Sequence, residues 1–232
     1  DVCSSDLLNW EVFYLNNIVK QNYLQILKTF FLGLIFLAIG SFAGVYLIPY
    51  SIKSILNIAF FIVVLFSMFS RKGGFIRSKS SMYIYALILG VLSGSSYVYY
   101  FYRLGSGLFI SVVIGVVLIF GIAYIIALRS SDENIFRLAP FVWGGVFALF
   151  ILEILNIFLF RFSTYTLVIS AIGIIIYSVY AVIIMKSIQR NCQYGVLSEQ
   201  EIAIFAYSIF ISFLNLLLDL LRFVSIIQSD DR

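Results

Sequence analysis

Histidine is absent from all 232 residues. That excludes Ser/His and Cys/His catalysis, histidine metal ligation and haem ligation through histidine. Only two cysteines occur, Cys3 and Cys192, so one disulfide is the most the chain could form, and nothing in the pattern requires it. Proline is as rare, at Pro49 and Pro140. Charge is scarce too: 11% of residues are Asp, Glu, Lys or Arg, against about 25% in an ordinary soluble domain. So little charge cannot cover a water-facing surface. No P-loop or glycine-rich dinucleotide motif is present; Gly105-Ser106-Gly107 merely begins a helix. Intramembrane aspartyl proteolysis needs two embedded aspartates, and Asp219 is the only one in an apolar run. No enzyme, cofactor or bound metal is therefore expected.

What fills the sequence is apolar: 62% hydrophobic and 18% aromatic residues, with a mean hydropathy of +1.08. The apolar runs lie at roughly 29–48, 54–70, 82–102, 107–128, 138–160, 164–185 and 202–227. Each is long enough for a helix to cross a hydrocarbon core of ~30 Å. The runs are continuous, without the alternation of a membrane barrel strand. In lipid the backbone must satisfy its own hydrogen bonds, so these runs are expected to be helical. The expected fold is an all-α integral membrane protein, a seven-helix bundle. Residues 1–28 form a cytoplasmic or interfacial extension, 29–227 the spanning domain and 228–232 a short tail.

The net charge of +4 does not point to nucleic acid, because the basic residues sit singly or in small groups beside the apolar runs. There they act as topology signals. One side collects Lys20, Lys28, Arg71, Lys72, Arg77, Lys79, Arg129, Arg137, Lys186 and Arg190; the other has Lys53, Arg103, Arg161, Arg222 and Arg232. Ten against five predicts a cytoplasmic N-terminus and, with seven crossings, an external C-terminus; a re-entrant path of the amphipathic last run would return the C-terminus to the cytoplasm. The group at 71–79 is placed to touch anionic lipid heads. The first eleven residues lack the basic-then-apolar order of a signal peptide. Aromatics near run ends, such as Tyr97 and Tyr99 to Tyr102, suit an interfacial belt. Gly40 with Gly44, and Gly90 with Gly94, have the four-residue spacing that lets helices approach closely.

Polar groups at bilayer depth carry the functional signal, because they are costly and usually face protein or a water-filled cavity. In the last run, Glu201, Ser208, Ser212, Asn215, Asp219 and Arg222 fall within an arc of about 80° at 100° per residue. Such an edge cannot face lipid along its whole length, so this helix is expected inside the bundle. Polar glue between helices, the lining of an ion or proton path, and a surface-lying amphipathic helix all remain open. Asp219 and Arg222, three residues apart, are close enough to pair. Glu153 lies in the fifth run, with Asn156 three residues on. Glu153 and Asp219 sit at similar depth, about 6–8 Å outside the midplane. If they meet, the pair could bind a cation or share a proton.

Several local patterns resemble the Bax inhibitor-1 family, also called the transmembrane Bax-inhibitor-motif family, in a bacterial-type member. The family's last helix reads roughly Leu-Tyr-Leu-Asp-Phe-Ile-Asn-Leu-Phe-x-x-Leu-Leu-Arg. Here Phe213, Asn215, Leu216 and Leu220-Leu221-Arg222 match without gaps. Gly90-Val91-Leu92-Ser93 followed by aromatics looks like the family's glycine-led helix, and Glu153-Ile154-Leu155-Asn156-Ile157-Phe158 like its Asn-x-Phe helix end. The resemblance covers about 20–227. It implies seven helices with the last one central, a location in the bacterial inner membrane and a pH-sensitive calcium leak. It also implies a part in stress responses and a membrane-anchored protease as partner. The family's calcium path relies on an aspartate pair, one on the sixth helix and one on the last. The matching positions here are Lys186 and Ser212. A serine cannot titrate, and a fixed ammonium facing the path would repel calcium. Asp219 and Glu153 are then the relocated acidic candidates. Ser212 and Asn215 would line the route, with Arg222 and Lys186 as the basic groups nearby.

Overall fold

In the computed structural model the described residues are 2–49, 52, 55–56, 76, 78–155 and 163–230. They form α1 (Val2–Tyr46), α2 (Lys79–Arg129), α3 (Asp132–Phe136), α4 (Ala139–Leu155), α5 (Ser163–Cys192) and α6 (Glu199–Asp230). Among the described residues there is no strand. Continuous apolar runs with few prolines leave the helix as the one way to satisfy the backbone in lipid.

Among the described residues five helices are long and apolar enough to cross a membrane. The expectation was seven crossings, and two features account for the difference. The expected span at 54–70 lies mostly outside the described residues. The third and fourth expected spans are both inside α2, whose 51 residues would run roughly 77 Å as one rod. Gly105 interrupts that rod with φ 77° and ψ 163°, a combination open essentially only to glycine. The stretches 79–104 and 106–129 are each roughly 35–40 Å long, enough for one crossing. At the other end of the chain, residues 2–46 form one unbroken helix, so the expected N-terminal extension and first span are continuous.

The chain divides into two compact units. The first comprises residues 1–95 and 188–210. Its main contact is between α1 and the start of α2, which run parallel. Gly33 lies against Met82, Gly40 against Leu87 and Gly90, and Gly44 against Val91. The two glycine pairs foreseen as close-approach positions therefore share one interface, in which Gly40 and Gly90 touch directly. A side chain on Gly40, Gly44 or Gly90 would strike the partner's backbone carbonyl, and one on Gly94 would lie 2.7 Å from the Ser41 carbonyl. Between helices in lipid there is little hydrophobic force, so close backbone packing of this kind drives association. Phe36 stacks on Tyr83 beside the glycine contact, with centroids 5.1 Å apart. Asn22, buried on α1, donates from Nδ2 to the Gly195 carbonyl at 2.7 Å and accepts from the Leu197 amide at 3.2 Å. It thereby fixes the turn that leads into α6. The opposite edge of α1, with Phe31, Ile35, Ile39 and Phe42, is exposed as a lipid-facing helix should be.

The second unit comprises residues 96–187 and 211–232. Ile135, Val142 and Ile183 form one apolar cluster, with Tyr180 packed beside it. Phe120 meets Phe213 with centroids 6.1 Å apart. Gly145 leaves room for the end of Ile176. Half of the most apolar stretch of α6 is buried, against a third or less in the other spans.

Candidate functional site

The polar edge of α6 begins with a capping box. The Ser198 amide and hydroxyl donate to Glu201 Oε2 at 2.8 and 2.7 Å, and the Glu201 amide donates back to Ser198 Oγ at 3.2 Å. Glu201 is exposed and serves the helix start, where orphan amides need acceptors. Two turns after Glu201, Ser208 is occupied by its own helix, donating to the Ile204 carbonyl at 2.9 Å.

Farther along, the edge enters the second unit and becomes buried. Ser212 has no exposed surface, and its hydroxyl points at the Tyr177 carbonyl of α5 from 3.5 Å. Asn215 is half-buried. Asp219 is 5% exposed. Its Oδ1 lies 3.6 Å from Arg222 Nη1, as their spacing suggested. At that separation the pair is held by charge more than by a direct hydrogen bond. The Asp219 carboxylate lodges against Gly173 of α5, in space that any side chain at 173 would fill. Ser170, on the same face of α5 one turn earlier, is fully buried, and its hydroxyl has no hydrogen-bond partner among the described residues. At the far end, Arg103 of α2 donates from Nη2 to the Ser225 carbonyl at 3.4 Å. It also donates to the Tyr99 hydroxyl and lies over the Tyr99 ring, 5.7 Å from its centroid.

Lys186 is in a different place from the other candidates. It is 7% exposed. Its ammonium donates to the Ala127 and Ser130 carbonyls at 3.1 and 2.8 Å and lies 3.0 Å from Asp132 Oδ1. Ala127 lies in the last turn of α2, Ser130 just past its end, and Asp132 is the first residue of α3. A cation there answers both the unsatisfied carbonyls and the negative end of the helix dipole.

The sequence-based candidates thus fall into three groups. Asp219, Arg222 and Ser212 share the buried edge of α6, with Asn215 between them. Lys186 belongs to the α2–α3 junction. Glu153 is in the last turn of α4, but its side chain and Asn156 lie outside the described residues. Among the described residues no group of three or more His, Cys, Asp or Glu could hold a metal ion. Gly173 and Ser170 had no sequence signal, because a small residue in an apolar helix reads as packing until its partner is known. A family model described as Inhibitor of apoptosis-promoting Bax1 matches residues 19–230, from α1 to the end of α6.

Proposed function

The chain belongs to the Bax inhibitor-1 family of membrane proteins, and from that premise we propose that it lets a cation cross the bilayer along the polar edge of α6. The Asp219–Arg222 pair closes the route. The observation that carries this reading is the burial of Asp219 in a membrane helix, against a neutralising arginine. A charge pair in low dielectric is expensive to keep and usually marks a functional path. A calcium ion or a proton arriving at Asp219 would compete with Arg222 for the same carboxylate. The setting is a bacterial inner membrane with the N-terminus in the cytoplasm, as the charge bias suggests.

Flux into proteoliposomes, followed with calcium and pH indicators, tests the reading. Asp219→Asn should bring flux down to that of empty vesicles. Arg222→Ala should raise it about tenfold, the effect of weakening closure by ~1.4 kcal/mol. Flux that never exceeds empty vesicles, or that ignores both substitutions, rules permeation out.

One observation favours a second reading. Lys186, where the family resemblance implies an aspartate, holds a fixed positive charge engaged by three oxygens. A chain without the titrating pair could instead act as a non-conducting interaction protein that modulates a membrane-anchored protease. Co-purification of a protease without flux would support this, and removing residues 1–20 should then abolish binding while leaving the fold intact.

A further inference from the structure

The contacts of Lys186 have the chemistry of a cation site. Ser131 is extended (φ −69°, ψ 151°), which separates the end of α2 at Arg129 from the start of α3 at Asp132. That break leaves the Ala127 and Ser130 carbonyls without helical donors at their own helix end. Both carbonyls turn to one point, and Asp132 Oδ1 joins them, each oxygen 2.8–3.1 Å from Lys186 Nζ. An ammonium has three protons to donate, and three oxygens accept. The distances suit ammonium or an ion of its size. They are too long for calcium, which takes oxygens at about 2.3–2.6 Å, and for magnesium, at about 2.0–2.1 Å. One of the three oxygens belongs to a carboxylate, which suits a positively charged occupant. Lys186 itself is nearly sealed, while the Asp132 side chain is 49% exposed, so the cage opens toward solvent at Asp132.

We propose that this oxygen cage is a site for a free monovalent cation of ammonium or potassium size, kept filled in the native protein by the tethered ammonium of Lys186. The lysine is a built-in ligand that locks the α2–α3 junction without depending on the ionic composition of the cell. The inference does not rest on permeation and stands whether or not the protein conducts.

Chemical rescue tests it. In sodium buffer, Lys186→Ala should lower the Tm by about 3–6 °C, the scale of leaving a buried acceptor without its donor. Ammonium chloride should restore most of that loss by binding the emptied cage, and potassium chloride part of it. Tetramethylammonium at matched ionic strength, too large for the cage, should restore none. Adding Asp132→Asn should abolish the rescue. The native protein and Lys186→Gln, whose amide still occupies the cage, should gain no more from ammonium than from tetramethylammonium. If Lys186→Ala cannot be recovered in sodium, recovery in ammonium alone supports the proposal. Recovery in neither salt overturns it, as does equal rescue by all three salts or rescue that survives Asp132→Asn.

Discussion

Asp219 and Gly173 make a single fitted contact. The carboxylate occupies the space where a Cβ on residue 173 would stand, so the two positions cannot be changed independently. Gly173→Ala should displace the carboxylate from its seat and destabilise the protein by about 1–3 kcal/mol, the usual range for overpacking. Asp219→Ala empties that seat. The double substitution should then cost less than the sum of the two single ones, a coupling read from the four melting temperatures of the cycle. Additive losses would mean that the contact is incidental. The candidate residues also differ in what they touch. Ser208 and Glu201 bond within the start of their own helix, whereas Asp219 reaches the neighbouring helix at Gly173 and lies 3.6 Å from Arg222 Nη1.

At the scale of the element, glycines that look alike in sequence do different work. Gly90 packs against the Leu37 carbonyl and the Gly40 Cα, while Gly115 has open space around it in the same helix, α2. Gly90→Val should therefore push α1 and α2 apart and cost at least about 3 kcal/mol, since backbone cannot yield as a side-chain end can. Gly115→Ala should be neutral or stabilising by about 0.5–1 kcal/mol, because it removes only the conformational freedom of glycine in the unfolded chain. Thermal melts in detergent separate the two outcomes. Equal effects would remove the case for a glycine-packed pair. The parallel run of α1 and α2 adds a second point: the chain leaves α1 at one end of that pair and enters α2 at the other.

For the whole molecule the open quantity is the path through the bilayer. With Gly105 breaking α2, residues 106–129 form a stretch long enough to cross once, bounded by the exposed Ser106 and Ser131. In a background lacking Cys3 and Cys192, Ser106→Cys should label from outside intact cells. Ser131→Cys should label only after the membrane is opened. Labelling of both from the same side would refute the proposed crossing order, and reversed sides would refute the proposed orientation. The charge bias supports the assignment, with Arg129 and Arg137 flanking Ser131 on the basic-rich side.

The sequence alone was enough for the membrane-spanning, all-helical character of the chain. Apolar runs without charge leave only helices able to satisfy their own backbone in lipid, and that requirement is local to each run. It was enough, too, for the polar edge of α6 and the four-residue glycine spacings, which follow from 3.6 residues per turn within one helix. It did not disclose that Gly40 meets Gly90 while Gly44 and Gly94 meet Val91 and Ser41, that Asp219 seats against Gly173, or that Lys186 fills a cage at the end of α2. Those contacts depend on the rotation and register of one helix against another. Periodicity within a single helix leaves both undetermined, so only the tertiary structure decided them.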